Sequence, residues 1–459
     1  MYSINLKNKF DITLKAISSA DKADKAAKSA KNLSCVNEKN NIYLVINKKE
    51  FNLPDFNYAV RNFFATHIKN VNIDVNSFLA LIDSKYHQAV ITWFLTNHEL
   101  LNFLPFNLKS DKKPKITNNF IVDKKYQKLV DNSKLMVDAF NFSRELQLMP
   151  SNYLNPNSFA QKIKKLFEPY KNILEIKILN KQDLAKKKMN LILSVGNASN
   201  EANSPKLISI KFKNTKPRFA VVGKGITFDT GGINLKPGVH MTGMQYDMSG
   251  AAIAAGIMYA FCLNKIKPNF AVVMPLAVND IGSNCTKVGD GITSYSKKTV
   301  EITNTDAEGR LILADAMTYA IKDLGVKSIA TIATLTGAII IALGDVYTGY
   351  WSNNINNAAL FAKVANNAGE YVWNMPFNNE FSKPLKKSLL ADLINCVEKG
   401  NASSISAACF LKEFADGVDF IHLDIAGSSE TKARGFSRPL PVMLNTLFEF
   451  VKENFHGKK

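Results

Sequence analysis

Residues 304–311 read Asn-Thr-Asp-Ala-Glu-Gly-Arg-Leu, so that three charged side chains stand at every second position. In extended backbone, this spacing would place Asp306, Glu308 and Arg310 on one side of the chain. The Asn, Thr and Gly residues around them favour a loop, and the apolar repeat of residues 311–324 predicts that a helix follows. We therefore predict that two carboxylates and one guanidinium converge before a helix N-terminus. Carboxylates there suit a metal ion, and an arginine suits a small anion.

A D-x-E-x-R sequence is also typical of a solvated loop whose charges pair with one another, and this alternative needs no ligand. A second stretch upstream favours the site. Residues 221–237 read VVGKGITFDTGGINLKP, and residues 244–252 read MQYDMSGAA. They add Lys224, which lies between two glycines, to the candidate site. They also add two further carboxylates, those of Asp229 and Asp247.

These stretches together closely resemble the leucyl aminopeptidase family of dimetal exopeptidases. The resemblance follows the motifs residue by residue over about a third of the chain and more loosely to the C-terminus, and the octapeptide with the upstream stretch is a highly specific combination. Residues 423–427 (LDIAG) and 438–441 (RPLP) are similar to landmarks near the family's C-terminus. The chain departs from the family at Leu148, where an asparagine is usual, and at Gln245, where a basic residue is common.

The resemblance implies two divalent metal ions. In the family, one ion is held by the residues that match Lys224, Asp229, Asp247 and Glu308. The other is held by those that match Asp229, Asp306 and Glu308, so that two carboxylates bridge the ions. Such oxygen ligands suit Mn or Zn and also accept Mg or Co. A lysine must be neutral to bind a metal, and a neighbouring dication lowers its pKa; elsewhere Lys224 would be an ordinary loop lysine.

Two further residues have catalytic roles in the resemblance. The family lysine that matches Lys236 stays charged and faces the scissile carbonyl oxygen, where a cation stabilises the charge that develops during hydrolysis. The family arginine that matches Arg310 holds a bicarbonate ion, which acts as the general base. Independently of the family, an arginine at a helix start favours a small-anion site. Without the surrounding motif, Lys236 would be a solvated loop lysine.

The resemblance also implies a substrate pocket. The family residue that matches Met244 lines the pocket for the first side chain, and the loop that matches Thr334, Leu335 and Gly337 holds the substrate through its backbone. Such apolar and main-chain contacts favour a hydrophobic N-terminal residue such as Leu, although Met244 fits core packing equally well. In the family, one metal binds the free α-amine of the substrate. The resemblance therefore implies a metal-dependent aminopeptidase that releases the N-terminal residue of peptides.

The chain has 459 residues, of which 46% are hydrophobic, and this length predicts two domains. We expect an α/β fold: a small N-terminal α/β domain for packing or assembly (1–123), a linker helix (124–149) and a larger catalytic domain (150–459) with a mixed central sheet flanked by helices. The small domain has a predicted strand at 42–46 and a predicted helix near 56–68. The catalytic domain has predicted strands at 174–179, 191–195, 207–212, 219–222, 270–278 and 328–334, and predicted helices at 158–167 and 251–263.

The 58 Lys and Arg residues exceed the 39 Asp and Glu residues, which gives a formal net charge of +19. Such a charge makes nucleic acid a candidate partner, but no block of the chain holds most of the positive charge. Lys22, Lys25, Lys28 and Lys31 recur at every third position, as in a solvated helix face or a site for an anionic partner. An additional DNA-binding role is thus the alternative. It is not favoured as a replacement for catalysis, because every family metal ligand is present.

Five dispersed cysteines fit a reducing cytosol. The N-terminus lacks the pattern of a signal peptide. The longest apolar run, residues 329–343, is interrupted by Thr and Gly and is short for a membrane span, so we expect a buried strand plus a loop and no membrane association. We therefore expect a cytoplasmic enzyme, and the resemblance implies a homohexamer.

Several other enzyme classes are excluded or disfavoured. No H-E-x-x-H, G-x-x-x-x-G-K-[ST] or G-x-S-x-G sequence occurs, which excludes a His-based zincin and gives no support to a P-loop or a serine hydrolase. An esterase or amidohydrolase with the same two-metal chemistry is a third option. An aminopeptidase requires a free α-amine in the substrate, and this requirement distinguishes it from such an esterase or amidohydrolase.

Overall fold

The computed structural model describes residues 2–5, 7–19, 31–110, 116–397, 401–433 and 436–456. The chain forms two compact units. Unit 1 contains Met1–Asn141, Lys363–Tyr371 and Lys432–Arg438, and unit 2 contains Phe142–Ala362, Val372–Thr431 and Pro439–Lys459. The domain limits at residues 123 and 150 stay predictions. Three members of the lysine repeat, Lys22, Lys25 and Lys28, lie outside the described residues.

Unit 1 contains a six-stranded sheet. Its strands are β1 (Tyr2–Asn5), β2 (Thr13–Ser18), β3 (Cys35–Glu38), β4 (Asn41–Ile46), β5 (Asn72–Asp74) and β6 (Asn118–Ile121). The order is β1-β6-β5-β2-β4-β3; β3 is antiparallel to β4, and the other pairs are parallel. Its helices include α1 (Leu53–Thr66), α2 (Val75–Leu81) and α3 (His87–Asn102). The predicted strand at 42–46 and the predicted helix near 56–68 are confirmed.

Local sequence explains where α1 begins. The Asn52 side chain accepts a hydrogen bond from the Asp55 backbone N–H at 2.9 Å, and a proline follows in the first turn, as is usual at a helix start. The buried Phe56 of α1 then meets Phe78 and Phe94 edge-on, at centroid distances of 6.0 and 5.5 Å. Edge-to-face aromatic contacts therefore join the three helices of unit 1.

The remaining strands follow β6 in the chain. They are β7 (Leu174–Leu179), β8 (Lys206–Phe212), β9 (Phe219–Gly223), β10 (Gly225–Asp229), β11 (Phe270–Asn279), β12 (Gly291–Thr293), β13 (Thr299–Glu301), β14 (Ser328–Ala333), β15 (Thr348–Ser352), β16 (Val372–Asn374), β17 (Leu393–Ile394), β18 (Asp419–Asp424), β19 (Glu430–Ala433) and β20 (Phe436–Pro439). Unit 2 contains a nine-stranded sheet in the order β16-β15-β18-β14-β9-β11-β8-β7, and β10 also pairs with β11. The sheet is mixed: β18, β14, β9 and β11 run parallel, whereas β15, β8 and β7 pair antiparallel.

The remaining helices follow α3 in the chain. They are α4 (Gln127–Leu148), α5 (Pro156–Phe167), α6 (Lys181–Lys187), α7 (Asn190–Gly196), α8 (Gly238–Met241), α9 (Ser249–Leu263), α10 (Gly309–Lys322), α11 (Gly337–Leu343), α12 (Ile355–Ala368), α13 (Asn379–Ser382), α14 (Ser403–Lys412) and α15 (Leu444–Phe455). The predicted helices at 158–167, 251–263 and 311–324 are confirmed within a few residues.

Apolar side chains cover both faces of the nine-stranded sheet, because successive residues of a strand point to opposite sides. On one face, Ala220 and Val222 of β9 pack with Leu313 of α10 in a large buried cluster. On the other face, Phe219 of β9 lies 5.7 Å from Phe450 of α15, centroid to centroid. The predicted mixed sheet flanked by helices is thus confirmed.

Two local predictions were wrong. Residues 191–195 form helix α7 rather than a strand. The backbone N–H groups of Leu191 and Ile192 donate to the buried Asp315 carboxylate at 2.9 and 3.2 Å, so a distant side chain caps this helix. Residues 329–343 contain the expected strand, β14, but the expected loop soon turns into α11, whose start is capped by the Thr336 hydroxyl.

One apolar stretch meets the length and hydropathy of a membrane span within the described residues, namely Gly238–Leu263, and 83% of its apolar window is buried inside the fold. The core helix of a globular unit passes the same test. Most of this stretch is α9, which packs against β9, β11 and β14. Packing inside unit 2 therefore accounts for its apolar composition.

Candidate metal centre and active site

Parallel strands of unit 2 bring the candidate residues to one edge of the sheet. Lys224 directly follows β9, and Asp229 is the last residue of β10. Asn279 ends β11, Thr334 follows β14, and Asp424 ends β18. Functional sites in α/β sheets lie at the carboxyl ends of such strands, so the fold itself gathers residues from five segments.

Glycines allow the backbone around Lys224 to approach its neighbours closely. The Lys224 N–H donates to Ile332 O at 3.0 Å, and its carbonyl accepts from Ala251 N at 2.8 Å. A Cβ atom on Gly250 would lie 2.1 Å from Ile332 O, and one on Gly223 would lie 2.2 Å from Gly250 O. Only glycine fits at these two positions, and the close contact between β9 and α9 fixes the base of the lysine side chain.

The predicted metal ligands converge around two lysines. One oxygen each of Asp229, Asp306 and Glu308 lies within 4.8 Å of the others. Lys224 Nζ lies 2.7 Å from Asp247 Oδ2 and 2.8 Å from Glu308 Oε1. Lys236 Nζ lies 2.9 Å from Asp229 Oδ2 and 2.5 Å from Asp306 Oδ1. The cluster of these six residues is called the carboxylate cluster below.

Asp306 and Glu308 do converge, but the predicted extended backbone and the predicted approach of Arg310 were wrong. Residues 304–308 form a turn rather than extended backbone, because the Asn304 side chain accepts from the Asp306 N–H at 2.8 Å and folds the chain back. Arg310 lies in the first turn of α10, and its Nη1 donates to Asn395 O at 2.7 Å. Among the described residues it forms no ion pair with Asp306 or Glu308 within 4.0 Å, so the two carboxylates converge without the arginine.

Burial and mutual repulsion set the charges of the cluster. Burial raises the pKa of Asp247, Asp306 and Glu308, and neighbouring carboxylates raise it further. Burial alone would lower the pKa of Lys224 and of Lys236, but the adjacent carboxylates outweigh it and raise both. The cluster thus holds four carboxyl groups but only two ammonium groups, which leaves the carboxyl groups with too little positive charge around them.

The donor set fits divalent cations. Within the described residues, the buried Glu308 Oε2 has no hydrogen-bond partner, which is unusual for a buried oxygen. A buried oxygen without a donor and an excess of carboxylates over ammonium groups both favour additional positive charge at this place. The residues present therefore suit the metal ions that the sequence implied.

Several residues that hold the cluster were missed in the sequence. Thr305 Oγ1 donates to Gly231 O at 2.7 Å and accepts from Asn234 N at 2.9 Å, which ties the 304–308 turn to the loop after β10. The buried Asn395 side chain accepts from the Asn304 N–H at 3.2 Å and donates to Asn304 O at 2.7 Å. Nothing in the sequence near Asn395 signals this role, since its partners lie 91 residues away. Asn279 also binds this turn, because its Nδ2 donates to Thr305 O at 3.1 Å.

The predicted substrate residues lie around the same edge. Thr334 Oγ1 donates to Asp247 Oδ1 at 2.8 Å, and Thr334 O accepts from Lys224 Nζ at 3.0 Å. The Leu335 N–H donates to the buried Asp424 at 3.1 Å. Gly337 begins α11, and Met244 begins a short 3-10 helix that leads to Asp247. Whether Met244, Thr334, Leu335 and Gly337 contact a substrate stays a prediction.

Comparison with known proteins identifies the family. The sequence model of the cytosol aminopeptidase family, catalytic domain, matches residues 141–445. A probable cytosol aminopeptidase of Mycoplasma genitalium is 38% identical over 402 residues, which cover 86% of this chain and 88% of the relative. The chain belongs to the cytosol aminopeptidase family. This membership makes it a metal-dependent aminopeptidase, a peptide hydrolase, and confirms the family resemblance of the motifs.

Other cytosol aminopeptidases and related folds agree with this assignment. A probable cytosol aminopeptidase of Mycoplasma pneumoniae is 37% identical over 401 residues, covering 86% of this chain and 88% of the relative. The crystal structure of the cytosol aminopeptidase of Coxiella burnetii superposes with a TM-score of 0.81 at 25% identity and covers 99% of both chains. The bottromycin maturation enzyme BotP, solved in complex with Mn, shares the fold with a TM-score of 0.80 at 22% identity, covering 96% of this chain and 99% of BotP.

Proposed function

We propose that this cytosol aminopeptidase works in the cytoplasm, where it releases an N-terminal Leu or another hydrophobic residue from peptides by means of two divalent metal ions. The observation that carries the proposal is the carboxylate cluster: four carboxylates and Lys224 meet at the carboxyl ends of parallel strands. Family membership supplies the reaction class. The metal number, the residue roles and the substrate preference are the proposed part.

The ligand sets follow from the positions in the cluster. Lys224, Asp229, Asp247 and Glu308 would hold one ion; Asp229, Asp306 and Glu308 would hold the other. When bound, two such ions activate water for hydrolysis near neutral pH and polarise the scissile carbonyl. The proposed ions are Mn or Zn, and Mg or Co can replace them, because carboxylate oxygens bind all four of these divalent metals. Lys224 can serve only after it loses its proton, so its binding to a metal would release a proton to solvent.

Lys236 and Arg310 are the proposed catalytic side chains. Burial lowers the pKa of Lys236, but the carboxylates beside it outweigh burial and raise that pKa above the value of an ordinary lysine. As a cation, Lys236 would stabilise the oxyanion of the attacked carbonyl. Arg310 is buried at the start of α10, and its Nε has no hydrogen-bond partner among the described residues. A small anion such as bicarbonate fits such a donor beside a helix N-terminus and would take the proton from water.

The proposed substrate site uses Met244 and the loop with Thr334, Leu335 and Gly337. Met244 precedes Asp247 by three residues and Leu335 follows Thr334, and both apolar residues are partly exposed, which favours a hydrophobic first residue. Ligation of the free α-amine by a metal ion would restrict cleavage to the first peptide bond. We also propose the homohexamer that is typical of the family.

The test is hydrolysis of Leu-p-nitroanilide by protein stripped of metal, with Mn, Zn, Mg or Co restored singly. Metal-restored cleavage is expected in the wild type and in a control, Asp345→Ala, which removes an exposed carboxylate away from the cluster. The variant Asp306→Ala should lose metal-restored cleavage, because it lacks one of the proposed metal ligands. N-acetylation of the substrate should also abolish cleavage.

Two results would contradict the proposal. Cleavage of the N-acetylated substrate at the same rate would indicate an amidohydrolase or esterase that ignores the α-amine. Failure of every metal to restore cleavage in folded wild-type protein, with Leu, Met and Phe substrates, would reject the proposed reaction for hydrophobic N-terminal residues.

A further inference from the structure

Asn279 connects the two chain segments that carry the proposed bridging carboxylates. It is the last residue of β11 and is 4% exposed. Its side-chain Nδ2 donates to Asp229 Oδ1 at 2.7 Å and to Thr305 O at 3.1 Å. Asp229 ends β10, whereas Thr305 precedes Asp306 in the 304–308 turn. One amide group therefore uses both of its hydrogens to join these segments.

The contacts of Asn279 also determine which oxygen of Asp229 faces the cluster. Asp229 Oδ1 accepts from Asn279 Nδ2 at 2.7 Å and from the Gly231 N–H at 2.9 Å. The other oxygen, Oδ2, lies 2.9 Å from Lys236 Nζ. With Oδ1 held by two donors, the carboxylate cannot rotate without breaking a buried hydrogen bond, and Oδ2 is directed into the cluster.

The backbone of Asn279 is itself held in place. Its carbonyl accepts from both the N–H and the hydroxyl of Thr230 at 2.9 Å, and Asn279 pairs with Asp229 in the parallel register of β10 and β11. The amide is thus fixed on a central strand of the sheet. A donor on such a rigid element can hold two ligand-bearing segments at a constant separation.

We propose that Asn279 is a positioning residue that sets the affinity of the carboxylate cluster for divalent cations. This inference rests on the proposed metal-binding role of Asp229, Asp306 and Glu308. Asn279 binds no ion: it acts through Asp229 and the 304–308 turn. Residues in this position around a metal site usually change metal affinity by about 10- to 100-fold when they are substituted.

The experiment compares Asn279→Ala with a matched control, Asn353→Ala. Asn353 also makes two short hydrogen bonds between segments of unit 2, to Val418 O at 2.9 Å and from Phe420 N at 2.7 Å, and it lies outside the cluster. Mn binding to the metal-stripped, full-length proteins is measured by isothermal titration calorimetry, and the Tm of each is recorded without metal. We expect Mn binding about 10- to 100-fold weaker in Asn279→Ala and unchanged in Asn353→Ala.

The outcomes separate the inference from the proposed function. If the wild type binds Mn and cleaves Leu-p-nitroanilide but Asn279→Ala binds Mn equally well, the positioning role is wrong and the function stands. If the wild type neither binds a divalent cation nor cleaves, the proposed function itself fails. Asn279→Ser is a second variant, smaller than asparagine and still polar, for which the same loss of affinity is expected. Unfolding of both Asn279→Ala and Asn279→Ser in the absence of metal would overturn the proposal, since Asn279 would then be a structural residue.

Discussion

Two lysines in the carboxylate cluster carry the same charge but differ in their surroundings. The Lys224 side chain is 3% exposed and is bound by Asp247, Glu308 and Thr334 O. The Lys236 side chain is 14% exposed and lies on the side of Asp306, whose side chain is 33% exposed. The more accessible lysine is the one that a substrate can reach. This difference supports a ligand role for Lys224 and a substrate-facing role for Lys236.

Lys236→Ala should lower kcat about 100- to 1,000-fold at saturating metal, the usual cost of removing one donor to a developing oxyanion. Mn affinity should not decrease, because the variant removes a cation that competes for Asp229 and Asp306. Steady-state kinetics with Leu-p-nitroanilide and Mn titration measure the two effects, and the exposed Lys216→Ala serves as the control. A loss of Mn binding with unchanged kcat would instead assign Lys236 to the metal site.

The sequence predicts the charged residues of the site but not those that hold them. Asp306 and Glu308 stand two residues apart in a short motif, so the sequence shows that they belong together, although a turn rather than extended backbone brings them into the cluster. Asn279 and Asn395 have ordinary neighbours in the sequence, and their partners come from segments between 26 and 92 residues away. Their roles depend on which strands lie side by side, and local patterns carry no such information.

Helix α7 shows how a distant residue decides a secondary structure. The apolar run at 191–195 fits a buried strand or a short buried helix equally well by its pattern. Asp315 of α10 accepts the N–H groups of Leu191 and Ile192, and also that of Tyr295 at 2.8 Å. A carboxylate at the first turn stabilises a helix, so tertiary structure selects the helix here. The longer segments, such as β11 and α9, were predictable because length and apolar composition agree.

Asp315→Ala should destabilise unit 2, because it leaves two buried N–H groups and one partly buried N–H group without their acceptor. An unsatisfied buried donor costs about 1–3 kcal/mol, and water can replace part of the lost hydrogen bonding. We therefore expect the free energy of unfolding to fall by about 2–4 kcal/mol. Urea denaturation of the metal-stripped protein measures it. The control Asp345→Ala removes an exposed carboxylate and should change stability by less than about 0.5 kcal/mol. Equal stability of the two variants would show that Asp315 does not cap α7.

For the whole molecule, the distribution of charge and apolar surface bears on assembly. The net charge of +19 is spread along the chain, and neither the family nor the described residues assign DNA as a partner. Unit 2 exposes adjacent large apolar side chains, Leu389 at 99% and Leu390 at 76%. Contiguous exposed apolar surface marks candidate interfaces with another chain, so we place the expected contact of the proposed homohexamer at this pair.

The double variant Leu389→Glu/Leu390→Glu should therefore dissociate the assembly into smaller species, because burying two carboxylates in an apolar interface is unfavourable. Light scattering after size-exclusion chromatography measures the mass. The control Ile68→Glu places the same charge on an apolar side chain of unit 1 that is 69% exposed. An unchanged hexamer in the double variant would place the interface elsewhere, and a wild-type monomer would reject the hexamer.

The position of Asp424 has a consequence for when the site is completed during translation. Strand β18 inserts between β14 and β15, and its last residue, Asp424, holds the Leu335 N–H and the Thr336 hydroxyl. A nascent chain that ends before β18 already carries all the proposed ligands, the last of which is Glu308, but lacks the anchor of its substrate loop. At a synthesis rate of about 5–20 residues per second, this interval lasts on the order of 10 s. We therefore expect the peptidase to become competent only after β18 has been made and has entered the sheet, so that copies still lacking this strand do not trim the newly made proteins around them.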